Sequence, residues 1–153
     1  GYPCYRNILS ALGITLCHIG INADFKLTAK ELRTEIERRQ NENLPPVKGL
    51  ILSSPSNPTG AMLTPEELRE LCSLTDENDI QFLSDEIYHG ISYGSEEATS
   101  LQFSDNTIVI NSFSKFYSSK LKRQTVTPFV HDSPTCLSHT HSVWMASGLD
   151  GRS

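Results

Sequence analysis

The chain has 153 residues, of which 37% are hydrophobic and 20% charged, with a formal net charge of −5. That length holds one domain around one core, and a mildly acidic surface is not built to attract polyanions, so nucleic acid is not an expected partner. No apolar run approaches the ~20 residues of a membrane span, so no membrane partner is expected either.

No basic stretch followed by an apolar one marks a secretory leader, although the chain opens at Gly1 rather than at a methionine. The four cysteines, Cys4, Cys17, Cys72 and Cys136, include no pair at Cys-x-x-Cys spacing, and Cys17–His18 is the one cysteine–histidine neighbour. A zinc site is therefore not expected. Reduced thiols in a cytoplasmic protein are the simpler reading.

Residues 14–19 (ITLCHI) read as a short strand. Residues 28–41 read as a helix: Thr28 can cap it, Glu31 three places on completes a capping box, and Leu32 and Ile36 fall on one face. The apolar run 47–52 (VKGLIL) predicts a buried strand. Residues 64–76 open with Thr64, Pro65 and two glutamates, the composition of a helix start, and Leu68, Leu71 and Cys72 supply the apolar face. Residues 80–84 (IQFLS) and 107–111 (TIVIN) predict two more buried strands. Strands alternating with helices, apolar on both faces, point to an α/β fold with a mostly parallel sheet and flanking helices.

The character changes after about Ser118. Residues 119–153 are rich in Ser, Thr and His, contain Pro128 and Pro134, and keep neither helical nor strand periodicity. They predict an irregular or disordered tail, and the chain divides at that point into 1–118 and 119–153.

In open parallel sheets, ligands gather beyond the carboxyl ends of the strands. Here strand 47–52 runs into Ser53-Ser54-Pro55-Ser56-Asn57-Pro58-Thr59-Gly60, strand 80–84 into Asp85-Glu86-Ile87-Tyr88, and strand 107–111 into Ser112-Phe113-Ser114-Lys115. Taken singly, these are a turn, a solvated strand end and a loop. Their joint placement at three strand ends delivers chemically capable groups to one edge.

These motifs, with Tyr2-Pro3-Cys4-Tyr5, resemble those of the pyridoxal-phosphate (PLP) dependent aminotransferases of class I and II, fold type I, over residues 1 to about 118. The resemblance implies the large, cofactor-binding domain of such an enzyme, incomplete in this chain. It implies that Lys115 bonds covalently to the cofactor aldehyde and, once released, moves the substrate proton as general acid and base. It implies that Asp85 pairs with the pyridine nitrogen and keeps the ring an electron sink, with Ile87 helping to keep the surroundings dry. Asn57 and Tyr88 would hydrogen-bond the cofactor's phenolic oxygen. Ser112 and Ser114 would donate to its phosphate, and Tyr2 would stack on the ring. A cis Asn57–Pro58 peptide is also implied. Glu86 takes no role, since strand alternation turns it the other way, and His89 is expected to face solvent from a turn.

After Lys115 the family pattern continues loosely through Phe116, Tyr117 and Ser118 and then stops. Arg123 stands eight residues after Lys115, where relatives place a phosphate-binding arginine, in a context that is not theirs. The resemblance places a glycine-rich phosphate turn upstream and a small domain with a carboxylate-binding arginine downstream. It implies amino acid and 2-oxo acid substrates and a homodimeric parent. Three other readings stay open: a catalytically incomplete or frame-shifted product of such a gene, a PLP-dependent carbon–sulfur lyase, and an aminotransferase-like effector domain of a transcription regulator.

Overall fold

The computed structural model describes residues 3–116. Tyr2, Arg123 and the tail expected over 119–153 lie outside the described residues.

The chain opens on helix α1 (Pro3–Ala11), which the sequence reading did not anticipate. Pro3 sits at its first position, where a missing N–H costs nothing. Tyr5, Ile8 and Leu9 form its half-buried face, and none of its residues is fully buried. The strand expected over 14–19 does not form. The Ile14 amide donates to the Leu9 carbonyl at 3.0 Å, and the Cys17 thiol donates to Glu35 at 3.0 Å. These bonds fold the segment back onto α1 and over the next helix instead of along a sheet edge.

That helix, α2 (Ala29–Asn41), starts where the capping signal puts it. The Glu31 carboxylate reaches back to accept from the Thr28 amide at 2.9 Å. Leu32 is fully buried, and Ile36 packs against the same core. Helix α3 (Pro65–Glu77) has both halves of its box: Thr64 Oγ1 accepts from the Glu67 amide at 3.2 Å, and the Thr64 amide donates to Glu67 at 2.8 Å. Leu68, Leu71, Cys72 and Leu74 bury its apolar face.

Three strands, β1 (Gly49–Ser53), β2 (Gln81–Asp85) and β3 (Thr107–Ile110), make one parallel sheet in the order β1-β2-β3. They correspond to the three apolar runs, shifted by at most two residues at either end. The register sets Ser53 beside Asp85 and Asp85 beside Ile110, so all three strands end at one level. A single 3₁₀ turn, Ser100–Gln102, lies on the β2–β3 connection. Leu32, Leu71, Cys72, Ile80 and Phe82, each at most 1% exposed, form the centre of the core between sheet and helices. A short helix, α4 (Phe113–Phe116), follows β3. No helix among the described residues is long and apolar enough to cross a membrane.

Candidate active site

The loop after β1 is a tight turn stitched to β2. The Ser54 amide donates to the Asp85 carbonyl at 3.1 Å, the Ser56 amide to the Ala61 carbonyl at 2.9 Å, and the Gly60 amide to the Ser56 carbonyl at 2.8 Å. Gly60 closes the turn at φ +71°, a conformation that a side chain disfavours. Both X–Pro bonds in the turn, Ser54–Pro55 and Asn57–Pro58, are cis, the second as the resemblance implies. The turn presents Asn57, whose Nδ2 donates to the Tyr88 hydroxyl at 3.2 Å.

The loop after β2 carries Asp85 and Tyr88. Asp85 Oδ1 accepts from the Ile87 amide at 3.1 Å, and its Oδ2 accepts from the Tyr5 hydroxyl. Asp85, Ile87 and Tyr88 are all half-buried. Tyr5 belongs to the motif that the sequence reading used, but the aromatic role fell to Tyr2. The turn of α1 that starts at Pro3 puts Tyr5, with Ile8, on the inward face.

The loop after β3 carries Ser112, Ser114 and Lys115. The Ser112 Oγ accepts from the Ser114 amide at 3.1 Å and donates to the Ser114 hydroxyl at 2.9 Å. The Ser112 amide donates to Asn111 Oδ1 at 2.7 Å. Lys115 is exposed, and its Nζ stands 5.8 Å from the centre of the Tyr88 ring, within cation–π range.

Asn57, Tyr88 and Lys115 thus meet, one from each strand end. Asp85 shares the Tyr88 loop, and among the described residues it forms no ion pair with Lys115. The two serines pair beside Lys115. Of the expected site residues, Tyr2 and Arg123 alone lie beyond description.

Two neighbours differ from expectation or were given no task. His89 does not face solvent: its side chain is 18% exposed, and Nε2 stands 3.1 Å from the Ser54 carbonyl. An acceptor on the returning loop draws the ring inward, a contact that no local pattern encodes. Glu86 turns away from Asp85, as alternation requires, and is buried at 3% exposure.

The parallel sheet with flanking helices defines an α/β protein, and its strand ends bring an amide, a phenol, a carboxylate, paired hydroxyls and an amine to one edge. The comparisons narrow that class. The sequence matches the family model "Aminotransferase class I and II" over residues 1–150, and the chain belongs to that family. It is 46% identical over 121 residues to a valine–pyruvate aminotransferase of Mycobacterium tuberculosis, covering 76% of this chain and 29% of that protein. To an aspartate aminotransferase of Bacillus subtilis it is 38% identical over 99 residues, 61% of this chain and 23% of that one. Its fold superposes on a crystal structure of an aminotransferase from Mycobacterium tuberculosis with a TM-score of 0.69 at 43% identity, over 77% of this chain and 30% of that one. The chain therefore spans less than a third of the length of these relatives.

Proposed function

We propose that this chain is the cofactor-holding part of a PLP-dependent aminotransferase that moves an amino group between an amino acid and a 2-oxo acid. The observation that carries the reading is the meeting of Asn57, Tyr88 and Lys115 at the ends of three parallel strands. The two relatives compared above are aminotransferases, which favours amino-group transfer.

The donor set fits the cofactor. Asn57 and Tyr88 are neutral hydrogen-bond donors placed side by side, suited to a phenolic oxygen that carries negative charge. Asp85, fixed through both carboxylate oxygens, suits a protonated ring nitrogen. Ser112 and Ser114 offer two hydroxyls to a phosphate, and Tyr2 and Arg123 are proposed to add a stacking ring and a guanidinium. When bound, PLP supplies an electron sink conjugated to the reacting carbon.

The residues do the rest. Lys115 would hold the group through its amine, and its Nζ, once free, would move a proton between donor and acceptor atoms. Asp85 would hold the ring's charge, and Asn57 with Tyr88 would orient the group. Orientation of this kind is worth a large part of an enzyme's rate. The proposed whole protein is a cytoplasmic homodimer, and the turnover belongs to that whole.

The test is capture of the cofactor. The chain is incubated with PLP, reduced with borohydride and mapped by mass spectrometry. Lys115 should carry the pyridoxyl group, and Lys115→Ala should abolish it. Labelling spread evenly over the lysines, or unaffected by Lys115→Ala, would refute the assignment.

A further inference from the structure

Glu86 is a buried carboxylate to which the aminotransferase reading gives no task. A buried carboxylate is tolerated where hydrogen bonds compensate it, and one oxygen of Glu86 has three such bonds. Its Oε1 accepts from the Ser84 hydroxyl at 3.0 Å, the Ser100 hydroxyl at 3.0 Å and the Ser100 amide at 2.9 Å. Ser100 is itself fully buried at the start of the 3₁₀ turn. The other oxygen, Oε2, lies 3.4 Å from His89 Nδ1.

The far side of the same ring faces Ser54. A carbonyl can only accept, so the 3.1 Å contact with the Ser54 oxygen places the hydrogen on Nε2. Ser54 is anchored at each polar atom: its amide donates to Asp85, its hydroxyl accepts from the Leu63 amide at 3.0 Å, and its carbonyl accepts from His89. Three residues on stands Asn57, and the residue before His89 is Tyr88. The stretch 84–89 therefore works on two sides. Asp85 and Tyr88 serve the candidate site, while Glu86 and His89 tie the neighbouring loop to the core.

We propose that Glu86 and His89 are positioning residues: fixed on Ser100, they hold the Ser54 carbonyl and so set where the 54–60 turn carries Asn57 against Tyr88. The brace is a property of the protein alone. Its consequence for PLP rests on the aminotransferase reading.

The experiment compares His89→Gln, which keeps an N–H at about the reach of Nε2, with His89→Met, which has similar length and no donor. Hydrogen exchange is followed by mass spectrometry on the 153-residue chain without cofactor. Loss of a hydrogen bond to a partly buried acceptor should speed exchange across 54–63 about tenfold in the Met variant and leave the α3 peptides unchanged. The Gln variant should return to within about twofold of the parent chain. With PLP present, the pH at which the Lys115-bound cofactor changes colour should move in the Met variant and return in the Gln variant, because Asn57 and Tyr88 tune it together.

Unchanged exchange across 54–63 in the Met variant overturns the proposal. So does exchange that rises equally in α3, or a Met variant that fails to fold where the Gln variant folds, since either makes His89 a general stabiliser. A local rise in exchange in a chain that never captures PLP on Lys115 supports the brace and sinks the aminotransferase reading instead.

Discussion

Replacing Gly90 with alanine tests whether the Lys115 helix is seated on the loop after β2. Gly90 has φ +82°, and a Cβ built there would lie 2.5 and 2.7 Å from Cδ2 and Cε2 of the Phe116 ring. Two costs follow. The left-handed backbone costs an alanine about 1–2 kcal/mol wherever its neighbours sit. The overlap adds about 1–3 kcal/mol if the ring stays in place. Phe116 is 53% exposed, so its ring has room to swing outward, and the low end of that range applies if it does. Gly90→Ala should therefore destabilise the chain by about 2–5 kcal/mol in urea unfolding, and by about 1–2 kcal/mol in a Phe116→Ala background. Because Phe116 follows Lys115 directly, Gly90→Ala should also slow borohydride-trapped PLP capture at Lys115, and Phe116→Ala should partly relieve that defect. Equal destabilisation in the two backgrounds would show that the ring does not rest on Gly90, and the seating of α4 on this loop would be wrong.

Phe82→Ala, at the middle of the central strand and 1% exposed, should cost about 3–5 kcal/mol in urea unfolding; a loss under about 1 kcal/mol would put Phe82 outside the core. Burial pushes the Cys72 thiol up to about 12, while Cys4 is exposed. Iodoacetamide at neutral pH should accordingly label Cys4 in the folded chain and Cys72 only in denaturant, and native labelling of Cys72 would contradict its burial. Glu35 is held down to about 2, first by the hydrogen bond from Arg38 and next by that from Cys17. A depressed carboxylate stabilises the fold above its ordinary range and loses that contribution as pH falls from about 4.5 toward about 2. With Arg38 44% exposed, the effect should be about 1 kcal/mol. Thermal unfolding should thus show a smaller loss between pH 6 and pH 3 in Glu35→Gln than in the parent chain, and a larger loss in the variant would reverse the sign.

The parts of the fold that could be read from sequence are those set by local pattern. The runs at 47–52, 80–84 and 107–111 are rich in apolar residues because the sheet packs on the core, and each became a strand. Thr28 and Thr64 mark helix starts because a cap acts within four residues. The stretch 14–19 failed for the opposite reason. Its alternation looks like a strand, but a strand needs a partner ladder, and its polar groups went to Leu9 and Glu35 instead. Helix α1 was missed because nine residues with a weak apolar stripe give little periodicity. In the site, the segments that carry Asn57, Asp85, Tyr88, Ser112, Ser114 and Lys115 stood out because each follows an apolar run, and the family resemblance singled out those residues within them. Tyr5 and His89 could not be placed, since their partners Asp85 and Ser54 lie 80 and 35 residues away in sequence.

The central position of β2 explains why one short stretch does so much. An edge strand has one neighbour; β2 has two, and its register with both puts Ser53, Asp85 and Ile110 side by side. The loop leaving β2 is then the one loop that can touch both flanking loops. Tyr88 receives Asn57 from one side and Lys115 from the other. Alternation sends every second side chain of the stretch to the opposite face, where Ser84 and Glu86 meet Ser100. The same five-residue strand is anchored below by Phe82 in the core. The positions of Asp85 and Tyr88 are therefore inherited from packing that has no chemistry in it. A core substitution under β2 should disturb the candidate site as a unit, whereas one under β1 should move Asn57 alone.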